Sequence, residues 1–85
     1  MFSGVMMKAR ITVTLKTGVL DPQGKAIEGA LASLGFAGVE SVRQGKVFNI
    51  DLAETDPAKA EATLAAMAER LLANTVIENY QVEIV

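Results

Sequence analysis

The stretch GVLDPQGKAIEGAL, residues 18–31, decides how the chain folds, because it joins a strand pattern to a helix pattern. Its Gly24-Lys25 pair superficially suggests a phosphate-binding loop. Such a loop needs Gly, four residues, Gly, Lys and then Ser or Thr. Here five residues separate Gly18 from Gly24, and Ala26 stands where a magnesium-binding hydroxyl would be. A nucleotide site is therefore not predicted.

Asp21-Pro22 instead predicts the start of a helix, because Asp is a favoured N-cap and Pro is favoured at the first helical position. An apolar stripe at i, i+4 and i+7 follows, and we expect it to be buried: Ile27, Leu31 and Leu34. Gly35 is the expected helix terminator. Asp56-Pro57 repeats the same combination of N-cap Asp and first-turn Pro and predicts a second helix. Its apolar face would consist of Ala60, Leu64, Met67, Ala68, Leu71 and Leu72.

Four segments predict strands. Residues 8–16, 46–53 and 76–85 alternate apolar and polar side chains. The fourth, 39–44, has an ambiguous phase because Val39 and Val42 have opposite parity, and a bulge or an irregular start would reconcile them.

The order βαββαβ predicts an α+β, ferredoxin-like sandwich. Its sheet would have four antiparallel strands in the order 4-1-3-2, with both helices on one face. Residues 7–85 are expected to form a single domain. Residues 1–6 are expected to be a disordered or optional extension.

The composition argues against several classes of function. The 85 residues include no cysteine and no histidine, which removes disulfides, thiolate metal sites and the commonest general base. Ten acidic residues face eight basic ones, so nucleic acid is not an expected partner. No apolar run approaches the roughly 20 residues of a membrane span, so no membrane partner is expected either. We therefore expect no catalytic, cofactor-binding or metal-binding residues in this chain.

Two loops carry residues suited to contact another protein. The first offers Lys16, Gly18, Asp21, Pro22 and Gly24, and the second, read as a hairpin tip, offers Arg43, Gly45 and Lys46. Two cations on one turn can meet a phosphate or an acidic surface, while an ordinary solvated turn is the alternative. Gly24 and Gly29 lie in the predicted helix, where glycine costs about 1 kcal/mol of stability relative to Ala. Either the close approach of another backbone or simple tolerance of glycine would explain its presence there.

Three segments of the chain resemble the PurS family, the small subunit of phosphoribosylformylglycinamidine (FGAM) synthase. They are VTLKTGVLDPQGKAIEGALASLGF (13–36), VESVRQGKVFNIDL (39–52) and LLANTVIENYQVEI (71–84). GVLDPQG and VRQGK, in this order and spacing, are specific when taken together. The resemblance extends over the chain from Met7.

The resemblance implies a non-catalytic subunit of an ATP-dependent, glutamine-using C–N ligase complex in de novo purine biosynthesis. That complex converts formylglycinamide ribonucleotide, glutamine, ATP and water into FGAM, glutamate, ADP and phosphate. The small subunit would be a homodimer or a dimer of dimers, located in the cytoplasm. It would bridge a glutaminase subunit and a synthetase subunit and support ammonia transfer, while ATP and magnesium are used by the synthetase subunit. The resemblance also favours the interpretation that the two loops are partner-contact surfaces rather than ordinary solvated turns.

The competing hypothesis is a regulatory module of ferredoxin-like fold that binds a small molecule between paired protomers. Fold alone cannot separate the two functions. Such modules usually have a glycine-rich loop between the first strand and the first helix. Here that loop carries Asp21 and Pro22, which fits poorly.

Overall fold

The computed structural model describes residues 7–85, so the extension predicted at residues 1–6 lies outside the described part of the chain. Its elements follow in the order β1 (Met7–Leu15), α1 (Pro22–Ser33), β2 (Gly45–Leu52), α2 (Pro57–Met67) and β3 (Glu78–Ile84). A π-helical turn, Ala68–Leu72, extends α2.

The sheet is built around β1, which pairs antiparallel with β2 on one side and with β3 on the other. Ile11 lies opposite Phe48 in β2 and Val82 in β3. Because side chains alternate across a strand, this register puts apolar side chains of all three strands on one face, which we call the inner face. The outer face is polar and carries exposed ion pairs such as Lys8–Asp51 (3.7 Å).

The predicted four-stranded sheet is wrong, because the described sheet has three strands in the order β2-β1-β3. Residues 39–44 form no strand. In the predicted hairpin Gly45 would be the only loop residue between two strands, whereas the tightest common β-hairpins need two loop residues. In the structure Gly45 is itself the first residue of β2 and pairs with Thr14.

The predicted helix ends are confirmed. Asp21 and Asp56 cap α1 and α2 with their carboxylates, and Pro22 and Pro57 occupy the first turn of each helix. Gly35 has φ +92°, and the Phe36 N–H donates to the Leu31 carbonyl (3.0 Å). This geometry is a Schellman motif, in which the left-handed residue closes the helix C-terminus.

The core lies between the inner face of β1 and α2. Ile11, Val13 and Leu64 have the largest fully buried side chains. Ala68 and Ala73 complete the cluster, and the Ala73 N–H donates to the Ala68 carbonyl (2.8 Å) across the π turn. A π turn takes up one more residue than an α turn, so Leu72 continues the buried face. The prediction that Leu71 lies on that face is wrong, since Leu71 is 83% exposed.

Helix α1 does not pack on the sheet beside α2, contrary to the predicted sandwich. Gly24 is its only buried residue, and Ile27 and Leu34, predicted as buried, are 38% and 74% exposed. The described chain is elongated, with extents of 51 × 28 × 18 Å. We call residues 20–39, which comprise α1 and its flanking turns, the arm.

Replacing Leu64 by Ala tests whether the small core holds the fold. Leu64 is fully buried within α2, and Ala favours a helix, so the loss would report the removed apolar burial and the cavity rather than a weaker helix. We expect the free energy of unfolding to fall by about 2–5 kcal/mol, measured by urea denaturation. Val76→Ala, at a site 80% exposed, is the control and should change it by less than about 0.5 kcal/mol.

Candidate functional site

The structure places the predicted partner-contact residues at one end of the sheet. There β1 ends, α1 begins and β2 starts. The residues brought to this end are Lys16, Gly18, Asp21, Pro22, Gly24, Arg43, Gly45 and Lys46. Their roles differ, because some tie the backbone together and others present side chains to solvent.

Asp21 joins the start of α1 to the segment that enters β2. Its Oδ1 accepts a hydrogen bond from the Gly24 N–H (2.8 Å), and its Oδ2 accepts one from the Gln44 N–H (2.8 Å). The residue is only 6% exposed. The N–H groups of Gln44 and Gly24 hold the pKa of Asp21 below its usual value; burial opposes them and the Arg43 charge assists them. The carboxylate is therefore a structural anion.

Arg43 is not a free cation at a hairpin tip. Its Nη1 donates to the Val19 carbonyl (3.1 Å), and its Nη2 donates to the Lys16 carbonyl (3.1 Å). A longer contact joins Nη2 to the Leu15 carbonyl (3.5 Å). The planar guanidinium thus gathers carbonyls from the loop between β1 and α1.

Glu28 is a member of this cluster that the sequence did not single out. Its Oε2 accepts a hydrogen bond from the Val42 N–H (2.8 Å), and its Oε1 lies 3.6 Å from Lys25 Nζ. The only available signal was its position two turns of helix after Asp21, on the same side of α1. We call Asp21, Glu28 and Arg43 together the clamp, since they fasten residues 42–44 to α1 and its preceding loop.

Two glycines allow the backbones to approach each other. A Cβ on Gly24 would overlap the Val42 carbonyl oxygen, and a Cβ on Gly45 would lie 2.6 Å from the Val13 carbonyl oxygen. Close approach therefore explains Gly24. Gly29 has open space around its Cβ position, which leaves simple tolerance as its explanation.

Lys16 borders a polar cleft of about 310 Å³ between the ends of β1 and β3, and Glu78, the ion-pair partner of Lys46, also lines it. Lys46 Nζ lies 3.8 Å from Glu78 Oε2, and the Tyr80 hydroxyl donates to Glu69 Oε2 (2.6 Å). That bond to Glu69, with burial and the nearby charge, raises the pKa of Tyr80. The hydroxyl is therefore held as a hydrogen-bond donor.

The arrangement is suited to recognition through shape and charge. The clamp fixes the backbone, while Lys16, Pro22 and Lys46 remain available at its surface. Within residues 7–85 no three acidic side chains converge on a point where a metal ion would sit. No helix among these residues combines the length and apolarity needed to cross a membrane.

Comparison with protein families gives a match over residues 8–85 to the model described as PurS: phosphoribosylformylglycinamidine (FGAM) synthase. The phosphoribosylformylglycinamidine synthase subunit PurS of Synechocystis sp. is 51% identical over 75 residues. That alignment covers 88% of this chain and 75% of the relative.

Two solved structures are similar in fold. Methanocaldococcus jannaschii PurS, described as one of the subunits of formylglycinamide ribonucleotide amidotransferase in the purine biosynthetic pathway, has a TM-score of 0.83 and 37% identity. The alignment covers 93% of this chain and 95% of that one. A chain in the structure of PurLQS from Thermotoga maritima has a TM-score of 0.86 and 30% identity, with 94% and 98% covered.

The two helix glycines make a matched pair of substitutions. Gly29→Ala should stabilise the chain by about 0.5–1 kcal/mol, because Ala is the better helix former and its Cβ meets open space. Gly24→Ala should destabilise it despite the same helix preference, because its Cβ would push Val42 away from α1. Urea unfolding of both variants measures the difference. Equal stabilisation by both substitutions would show that segment 42–44 is not held against α1.

Removing the charge of Asp21 should change how stability depends on pH. The folded pKa is lower than the unfolded one, so the carboxylate stabilises the fold above the ordinary value of 3.8, and the effect is lost as pH falls through the folded pKa. Asp21→Asn should therefore lower the melting temperature most at neutral pH, and the deficit should shrink towards pH 3. Asp51→Asn on the outer face is the exposed control. An Asp21→Asn deficit independent of pH would contradict the assignment.

Proposed function

Because the chain belongs to the PurS family of FGAM synthase subunits, which serve purine biosynthesis, we propose that it bridges the glutaminase and synthetase subunits of that ligase. In this role it contributes contact surfaces rather than reacting groups. The observation that carries the proposal is the clamped end of the sheet. It presents residues of both family-like segments, GVLDPQG and VRQGK, on one rigid surface.

The clamp supports a positioning role because it fixes both segments that form this surface, the loop before α1 and the segment before β2. Asp21 holds Gln44, and Arg43 holds the carbonyls that precede Asp21. A surface whose backbone is already ordered loses little conformational entropy on binding. It can therefore hold two larger subunits in register, and in that register it would help to seal the path of ammonia between them.

We assign ATP and magnesium to the synthetase subunit. The stretch that resembles a phosphate loop supports this assignment, because its residues are committed to starting α1. Pro22 has no N–H to donate, and the Asp21 carboxylate occupies the Gly24 N–H. An anion at this helix end would also meet the negative charge of Asp21.

We further propose that the subunit is located in the cytoplasm and acts as a homodimer or a dimer of dimers. The small core supports self-association. Four of the seven buried apolar residues within residues 7–85 are alanines, while several large apolar side chains remain exposed. The small-molecule regulatory module is not favoured. In such a module the loop between the first strand and the first helix closes over the ligand, but here hydrogen bonds of Asp21 and Arg43 fix that loop to the segment before β2.

Neutralising the two lysines at the clamped end tests the bridging role. Lys16→Gln with Lys46→Gln should raise several-fold the subunit concentration that gives half-maximal glutamine-dependent FGAM formation with the two partner subunits. The reason is the loss of charge complementarity at the contact, and the defect should grow smaller as salt masks the wild-type attraction.

The control carries the same charge change elsewhere. Lys8→Gln with Lys59→Gln alters the outer face and the exposed side of α2. Thermal melting of each variant alone establishes that folding is intact. An identical concentration dependence for both double variants would show that the clamped end does not contact a partner subunit.

A further inference from the structure

Strand β3 leaves one side of its backbone without a neighbour. In the strand order β2-β1-β3, β1 pairs with one side of β3, and no strand among residues 7–85 pairs with the other. An open edge of this kind presents a row of N–H and C=O groups, which can pair with a strand from another chain. The edge of β3 is therefore a candidate site for contact with another protein.

The hydrogen bonds at the two ends of the β1–β3 pair show which backbone groups face this edge. The Lys16 N–H donates to the Ile77 carbonyl (2.8 Å), and the Val85 N–H donates to the Lys8 carbonyl (2.8 Å). Both bonds fit the register of the pair, in which hydrogen-bonded positions alternate with positions that are not hydrogen-bonded. The odd-numbered residues of β3 thus bond to β1. The even-numbered residues turn their N–H and C=O groups to the open edge: Glu78, Tyr80, Val82 and Ile84.

Strand β3 has none of the features that commonly block the pairing of edge strands. Its seven residues include no Gly, Pro or Lys, and its register with β1 is continuous, without a bulge. The Glu78 N–H already donates to the Asn74 carbonyl (2.7 Å). The N–H groups of the other three even-numbered residues are left to face the edge. Strand β2, at the opposite edge, carries Gly45 and Lys46 and is less suited to pairing.

The open edge of β3 is continuous with the clamped end of the sheet. Strand β3 begins there, since Glu78 pairs with Leu15 at the end of β1. The polar cleft of about 310 Å³ lies at this junction, and Lys16 borders it. Apolar side chains are exposed beyond both ends of the strand, where Val76 is 80% and Val85 is 60% exposed. A segment that leaves the clamped end along β3 would therefore run from a polar cleft past exposed apolar side chains.

We propose that an extended segment of the partner subunit that docks at the clamped end pairs with the open edge of β3 and extends the sheet. The N–H and C=O groups that face this edge supply the contact, because main-chain hydrogen bonds give such added strands their affinity. The proposal rests on the bridging role proposed above and specifies a backbone contact that holds one of the partner subunits.

Charge favours a different chain over a second copy of this chain as the occupant of the edge. Strand β3 carries two glutamates and no basic residue, so two β3 strands would bring only acidic side chains together. A segment with a lysine or arginine facing Glu83 would complement it instead, because opposite charges across neighbouring strands are stabilising. Glu83 is available for such a contact, since its side chain is 54% exposed and its Oε1 lies 3.9 Å from Arg10 Nη1.

Residue-resolved hydrogen–deuterium exchange tests the pairing, because strand addition protects alternate amides. In the subunit alone, the amides of residues 79, 81 and 83 bond to β1 and should exchange slowly, whereas those of residues 80, 82 and 84 should exchange rapidly. In the complex with the glutaminase and synthetase subunits, exchange at residues 80, 82 and 84 should slow by at least about tenfold. Burial without pairing would not single out these three positions.

Unchanged exchange at these positions in an assembled complex would overturn the inference and leave the bridging role standing. Slow exchange at all three in the subunit alone would also overturn it, because a second copy would then occupy the edge. Failure of the chain to assemble with either subunit would remove both proposals. Assembly with each subunit separately shows which one protects the edge. Protection by a subunit whose binding is unaffected by Lys16→Gln with Lys46→Gln would contradict docking at the clamped end.

Proline at position 84 tests the same contact through the activity of the complex. Ile84→Pro removes an N–H that faces the open edge and leaves the bonds to β1 in place. Ile84→Ala is the matched control, because it also removes the isoleucine side chain but keeps the N–H. The subunit concentration that gives half-maximal glutamine-dependent FGAM formation should be about threefold to tenfold higher for the Pro variant than for the Ala variant. Equal values for the two variants, each shown to be folded by thermal melting, would contradict strand addition.

Discussion

The Asp21 carboxylate is the constraint on which the arrangement of the chain depends. One of its oxygens caps α1 through Gly24, and the other accepts the N–H of Gln44, the residue before β2. A single side chain therefore fixes both the start of the helix and the entry of the next strand. A buried carboxylate needs such partners, because leaving it without hydrogen bonds would cost far more than the ordering does.

The clamp also explains why residues 39–44 do not extend the sheet. A strand must satisfy its N–H groups through a ladder, but here Val42 and Gln44 donate to the side chains of Glu28 and Asp21 instead. Side-chain acceptors that compete with the ladder favour irregular backbone. The segment is therefore ordered without being a strand, and it stays close to α1 because Gly24 leaves room for the Val42 carbonyl.

Local signals predicted the helix starts and the Schellman end at Gly35, because each depends on a few adjacent residues. They failed where the determining contact spans many positions. The bonds of Arg43 to the Val19 and Lys16 carbonyls join parts of the chain more than 20 residues apart, and nothing in the alternation of residues 39–44 reveals them. The apolar stripe of α1 was predicted to be buried, but Ile27 and Leu34 are exposed in the described chain, because an amphipathic pattern does not say which surface covers it. The partner-contact residues were predicted from the two loops that resemble the family, and Glu28 was not singled out because helix polarity alone explains a glutamate.

The clamp also connects the clamped end of the sheet rigidly to the arm. Arg43 is committed to backbone carbonyls, and Lys25 and Lys46 lie near Glu28 and Glu78, so several of the cations at the clamped end already have partners within the chain. The lysine side chains of these pairs are exposed while the carboxylates are mostly buried, and each ion pair is longer than 3.5 Å, so the lysines are able to exchange partners when another subunit docks. The arm begins at the clamp and cannot rotate without breaking the bonds that Asp21 and Glu28 accept from the N–H groups of Gln44 and Val42. A subunit bound at the clamped end is therefore held at a fixed angle to whatever covers the arm, as a rigid connector requires.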